Sequence, residues 1–64
     1  MGYHEYKMSQ EISKSDPPFY ALIMSAMRKA DSTNIEKLKL VFPDTFNELQ
    51  ERYNAPGGKL EGES

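Results

Sequence analysis

A continuous apolar stripe between residues 19 and 30 constrains the fold of this chain more than any other feature of its sequence. The stripe follows directly after Asp16-Pro17-Pro18, and its members recur at intervals of three and four residues: Phe19, Leu22, Ile23, Ala26, Met27 and Ala30. This is the period of one face of an α-helix. Aspartate is a favoured N-cap, and proline is well tolerated in the first helical turn. The pattern therefore predicts a helix over 17–30 that is capped by Asp16.

A capping signal marks the start of a second helix. Thr33 and Glu36 have the spacing of a capping box, in which the hydroxyl and the carboxylate each accept a hydrogen bond from a free backbone N–H at the helix start. Pro43 disfavours helical backbone at the residue before it. A second helix is therefore expected to start at Ser32 or Thr33 and to cover residues 33–42.

A third helix is predicted over 44–54, with Asp44 as its cap. Glu48 and Arg52 are spaced i, i+4 in the orientation that favours an ion pair on one helix face. The helix is expected to end before 56–58, which read Pro-Gly-Gly, a strong stop signal. The fold class is therefore all-α, a short helical hairpin or three-helix unit, with the last two helices either separate or nearly continuous across a proline kink.

The two ends of the chain lack a helical period. Residues 1–15 are mostly polar, and we expect a flexible N-terminal arm that orders on contact, with a short helix as one form it could take. Residues 57–64 are polar and acidic, so we expect a disordered tail. The helical domain then covers 16–56.

Sixty-four residues without a cysteine form a domain that is marginal on its own. Small domains reach stability through disulfides, metals or oligomerisation, and only oligomerisation is open to this composition. The apolar stripe is also wider than one short hairpin covers. We therefore expect a homo-oligomer, and we expect its interface to be made of residues from the first helix: Phe19, Leu22, Ile23, Met24 and Met27.

Composition argues against several classes of protein. A net charge of −2 is opposite to the basic excess of a nucleic-acid binder. A helix-turn-helix reading would use 44–54 as the recognition helix, where carboxylates repel phosphates and only Arg52 suits a base edge. No apolar run reaches the roughly 18 residues of a membrane span, and the N-terminus lacks a signal-peptide pattern. We therefore expect no membrane partner and a cytoplasmic protein, and nucleic acid is a remote third choice.

Catalysis is not expected from this sequence. The one histidine, His4, lies on the predicted arm, and no activated nucleophile, glycine-rich phosphate loop or set of metal ligands is recognisable. We therefore expect no catalytic residues, no metal site and no cofactor. Binding is the expected activity, because four methionines and seven aromatic residues supply adaptable contact area.

A small anionic ligand, held between subunits, is a second possibility. Its candidate residues combine positive charge, aromatic faces on which a base stacks and glycine N–H groups that suit a phosphate: Tyr20, Arg28, Lys29, Tyr53, Gly57 and Gly58. Each has an ordinary structural explanation as well, because basic residues suit a helix C-terminus and glycine commonly follows one.

Four stretches within residues 16–58 carry a resemblance to known sequences: Phe19-Tyr20-Ala21-Leu22-Ile23-Met24, Met27-Arg28-Lys29-Ala30-Asp31, Phe42-Pro43, and Glu48-Leu49 with Arg52-Tyr53-Asn54-Ala55-Pro56-Gly57-Gly58. Through these stretches the chain resembles small bacteriophage-encoded proteins of no established activity. Short non-enzymatic phage proteins often act as counter-defence or host-takeover factors. The resemblance therefore implies a protein that binds and inhibits a host protein in the bacterial cytoplasm, with a sponge for cyclic nucleotide signals as the alternative.

Overall fold

Residues 2–63 of the computed structural model form four α-helices and one short 3-10 turn, without a β-strand. The helices are α1 (Tyr3–Lys14), α2 (Phe19–Lys29), α3 (Ser32–Val41) and α4 (Pro43–Asn54), and the turn covers Pro56–Gly58. The predicted all-α class is confirmed for this part of the chain. Helices α2, α3 and α4 correspond to the three predicted helices, and their ends differ from the predicted ends by no more than two residues.

The start of α2 differs from its prediction. Asp16 does not cap the helix but lies in the left-handed region, with φ +50°. The helix begins at Phe19, and Pro18 precedes it with φ −58° and ψ 145°. Proline disfavours helical backbone in the residue before it. Two consecutive prolines therefore exclude both Asp16 and Pro17 from the helix and move its start beyond the pair.

The cap of α3 is Asp31, two residues earlier than the Thr33 that the capping box predicts. The Asp31 carboxylate accepts a hydrogen bond from the backbone N–H of Asn34 at 2.8 Å. Helix α3 therefore starts at Ser32, and Thr33 lies inside its first turn. Asp31, the residue before Ser32, has the extended backbone of an N-cap. Its carboxylate is therefore placed to accept a hydrogen bond from the free N–H groups of the first turn.

Helices α3 and α4 are separate. Phe42 breaks the helical backbone with φ −125° and ψ 61°, and Pro43 occupies the first position of α4. The predicted cap, Asp44, instead lies in the first turn, where its charge still suits the helix dipole. A proline at this position loses no hydrogen bond, because the first N–H groups of a helix have no intrahelical partner.

Helices α2, α3 and α4 pack together and form the body of the molecule. Met27 of α2 is 4% exposed and is the one buried residue of 2–63. Around it, Ile35, Phe46 and Leu49 are half-buried. Lys39 lies with its Nζ 5.0 Å from the centre of the Phe46 ring, which covers part of that ring on the solvent side. The core is therefore one methionine with a thin apolar layer about it.

Helix α1 stands apart from this body. Across the described residues, no Cα atom of α1 approaches another helix within 8 Å, and every side chain of α1 is exposed. The sequence predicts a flexible arm here, and its flexibility stays a prediction; the structure places a twelve-residue helix in the segment.

The chain is more open than its length requires. Its accessible surface is 5551 Å², whereas a compact monomer of this mass exposes about 4,200 Å². Its radius of gyration is 13.7 Å, against about 11 Å for a compact domain of this length. Roughly 1,400 Å² of surface is thus in excess of what a folded chain of this size normally shows to water.

Candidate functional site

Three aromatic rings form a cluster where the start of α2 meets the break between α3 and α4. Phe19 and Phe42 have ring centres 6.2 Å apart, Tyr20 and Phe42 6.5 Å, and Phe19 and Tyr20 5.1 Å, all in edge-to-face arrangements. Phe19 is 57% exposed and Tyr20 55% exposed. We call these three residues the aromatic face. Local sequence builds it, because the prolines before α2 and after Phe42 fix the backbone on both sides.

Two aliphatic side chains that directly precede Phe42 in the sequence are also exposed. Leu40 is 83% exposed, and Val41 is also exposed, although both lie in a helix that packs on the body. A pair of large aliphatic residues at the C-terminal end of α3 is not used by the fold of the single chain. These two side chains add to the large apolar residues that the single chain leaves in water.

The predicted oligomer interface is only partly available on the surface. Phe19 and Leu22 are exposed, and Ile23 and Met24 are half-buried. Met27 differs from the other four, since the single chain already buries it. Its apolar character is explained by the core, and a second chain is not needed to cover it.

A groove of about 660 Å³ runs between α2, α3 and α4, and we call it the α2–α4 groove. It is lined by Met27, Arg28, Ile35, Phe46, Leu49, Gln50, Tyr53 and Asn54. The apolar members form its floor, while Arg28, Gln50 and Asn54 supply polar groups. Two of the predicted ligand residues, Arg28 and Tyr53, therefore meet here.

The other predicted ligand residues lie elsewhere. Lys29 lines a second groove of about 580 Å³ between α2 and α3, together with Lys37 and Asp31. Tyr20 lines a third of about 330 Å³ with Asp44 and Glu48 as neighbours. Carboxylates at that position oppose an anion. The six residues thus do not converge on one site.

The two glycines of the predicted ligand site lie in a turn held by Arg52. Gly57 and Gly58 have φ +64° and +73°, in the left-handed region that favours glycine. The Arg52 Nη1 donates to the carbonyl oxygen of Gly58 at 2.9 Å. The turn is thus occupied by contacts within the chain that the sequence does not suggest.

Arg52 also binds two carboxylates. Its Nε donates to Glu48 Oε2 at 3.0 Å, which confirms the predicted pair on α4. Its Nη1 and Nη2 donate to the two oxygens of Glu63 at 2.8 and 2.7 Å, the two-pronged geometry that arginine and carboxylate favour. We call Arg52, Glu48, Gly58 and Glu63 the arginine clamp. The i, i+4 spacing indicates the first pair, whereas no sequence signal links Arg52 to a residue eleven positions away.

The clamp changes the ionisation of Glu63. The hydrogen bonds from Arg52 lower the pKa of Glu63 from 4.5 to about 2, with a further contribution from the backbone N–H of Leu60. The same contacts raise the pKa of Arg52 above its ordinary value. In the structure the tail contacts α4 through Glu63. The sequence predicts a disordered tail, and that disorder stays a prediction. Ser64 and Met1 lie outside the described residues.

Within 2–63, no group of three or more histidine, cysteine, aspartate or glutamate side chains is placed to hold a metal ion. None of the described helices has the length and apolar character needed to cross a membrane.

Comparisons with known protein families, with curated proteins and with solved structures found no match to this chain.

Proposed function

We propose that this chain is a non-enzymatic, homo-oligomeric binding protein whose copies contact one another through the aromatic face. One observation carries the proposal: the single chain exposes roughly 1,400 Å² more than a compact monomer of its mass. The excess includes large apolar side chains that the fold leaves in water.

The amount of excess surface fits a second copy. A stable protein interface of standard size covers about 800 Å² on each partner, so one such contact lies well within the excess. Aromatic rings are frequent anchors of such contacts, since they bury a large area with few rotatable bonds. Phe19, Tyr20 and Phe42 are held against one another in advance, which reduces the entropy lost when a partner covers them.

The resemblance to phage proteins suggests what the assembly does. In this proposal, the oligomer binds a host protein and inhibits it. The host protein would meet a surface made of several copies, so assembly and inhibition are lost together.

The alternatives have less support. For a cyclic nucleotide, only Arg28 and Tyr53 of the six candidate residues share a groove. A thermal shift with cyclic di- or trinucleotides that Arg28→Ala abolishes would favour this alternative. For DNA, Arg52 was the one residue of 44–54 suited to a base edge, and two carboxylates of the clamp already engage it.

The aromatic face is tested by the mass of the particle in solution. We expect multi-angle light scattering of the native chain to give a multiple of the 7.3 kDa monomer. The double variant Phe19→Ser/Tyr20→Ser should shift the mass towards the monomer, with its helical circular dichroism retained. Tyr6→Ser is the matched control, because it removes a ring of similar exposure, 59%, from α1. A native chain that stays monomeric over the whole accessible concentration range would overturn the proposal.

A further inference from the structure

We propose that helix α1 of one copy docks in the α2–α4 groove of a second copy. This inference rests on the proposed self-association and deepens it, because it names the element that is exchanged. The aromatic face and the exchanged helix would be two parts of one assembly.

Helix α1 carries an apolar stripe that its own chain leaves uncovered. Met8 and Ile12 are spaced i, i+4 on one face, and each is 47% exposed. Glu5 lies on the same face, three residues before Met8. Isolated helices shorter than about 12–15 residues are marginal in water, because nucleation is costly. A twelve-residue helix without tertiary contacts therefore needs a surface to pack on.

The α2–α4 groove has the complementary character. Its floor is apolar, with Met27, Ile35 and Leu49 among its lining residues. Arg28 lines it too, is exposed, and makes no ion pair with any residue of 2–63. An apolar groove that receives the apolar side of a short helix is a common mode of recognition.

The linker between α1 and α2 favours a groove on another chain. Pro17 and Pro18 restrict the backbone, Pro18 is extended, and α1 does not contact the other helices of its own chain. Met27 and Arg28 lie at the far end of α2, about 12 Å along its axis from Phe19, where the linker joins. Because α1 does not contact its own body, packing it into its own groove requires the proline-restricted linker to change conformation, whereas docking on a second copy keeps the linker as it is.

The surface area agrees with an exchange of this kind. The excess of roughly 1,400 Å² is larger than the 800 Å² or so that one partner contributes to a standard interface. Two copies that exchange α1 would each cover the other's groove, which is the reciprocal contact expected of a two-fold dimer.

The exchange is tested by cross-linking, which is convenient because the chain has no cysteine of its own. One preparation carries Ile12→Cys, and a second, isotope-labelled preparation carries Gln50→Cys in the groove. The two are mixed and treated with a short bis-maleimide, and mass spectrometry identifies dimers with one labelled chain. Gln10→Cys replaces Ile12→Cys in the control, because residue 10 lies on the opposite side of α1.

We expect mixed dimers from Ile12→Cys in clear excess over those from Gln10→Cys. Equal yields from the two positions, or no mixed dimer, would overturn the inference. A third sample carries both Ile12→Cys and Gln50→Cys on one chain, and closure within that chain at monomer mass would overturn it as well. Light scattering of the native chain separates the two proposals: a multimeric mass without the Ile12 cross-link removes the exchange and leaves the assembly through the aromatic face intact.

Discussion

Helices α1 and α4 are both twelve residues long, but they have opposite relations to the rest of the molecule. Helix α4 packs on α2 and α3 with Phe46 and Leu49, and its Arg52 holds the C-terminal residues. Helix α1 carries Met8 and Ile12 and packs on nothing within residues 2–63. Length and apolar content are therefore not what separates them.

The difference lies in how each helix is connected to its neighbours. Phe42 is the single residue between α3 and α4, so the two helices are held next to each other, and they are in contact. Four residues, two of them proline, separate α1 from α2 and hold it away. Connection geometry thus decides which apolar stripe becomes core and which stays available to another chain.

The strongest test of this comparison is a pair of methionine substitutions. Met27→Ala removes the one buried side chain of the described body and should cost about 2–5 kcal/mol of unfolding free energy. In a domain this small, that loss unfolds much of the chain at room temperature. Met8→Ala on α1 should change body stability by less than about 0.5 kcal/mol. Thermal melting followed by circular dichroism at low concentration measures both, and equal effects would show that α1 belongs to the core.

A smaller effect is expected from the cap of α3. Asp31→Ala removes the side-chain acceptor of the Asn34 N–H and should cost about 1 kcal/mol. Thr33→Ala is the matched control, and it should be close to neutral because Thr33 lies inside the first turn. Chemical denaturation measures both free energies. The reverse order would restore the capping box that the sequence predicts and move the start of α3.

The smallest effect concerns the arginine clamp and pH. The pKa of Glu63 is lowered in the folded chain from 4.5 to about 2, so the clamp's contribution is present above pH 4.5 and is lost as the pH falls towards 2. Acid should therefore release the tail from α4. NMR titration of the Glu63 carboxyl carbon and the Leu60 amide should give a midpoint near the lower value. In the Arg52→Gln variant the midpoint should return towards 4.5, and a native midpoint already at 4.5 would refute the clamp.

Much of the body was predictable from local sequence. The sequence locates α2, α3 and α4 to within two residues. The signals are the apolar period of 19–30 and the helix breaks at Pro43 and at residues 56–58. The helix starts were less predictable, because several residues compete for each cap. Asp16 does not cap α2, because the two prolines after it move the helix start. Asp31 caps α3 in place of the predicted Thr33. Helix α1 was predicted only as a form that the arm could take on contact, because Tyr3 and Tyr6 lie on one side of it and Met8 and Ile12 on the other, which hides the helical period.

The candidate surfaces were harder to predict than the helices. Spacing along one helix indicates the Glu48–Arg52 pair, but the aromatic face joins rings from α2 and from the break before α4. The predicted ligand residues each have suitable chemistry, yet they lie on three grooves and one turn. Residue type tells what a side chain is able to bind, whereas the packing of α2 on α4 decides which side chains meet.

The left-handed backbone of Asp16 has a consequence for the size of any assembly. Together with the two prolines after it, this residue sets the direction in which α1 leaves the body. Two chains that exchange helices at a suitable angle satisfy each other and form a closed pair. At another angle each chain would pass its helix to a new neighbour, and the same contacts would build an open filament. In the proposed exchange, the torsion of this one aspartate would therefore contribute to whether the chains form a closed pair or an open filament.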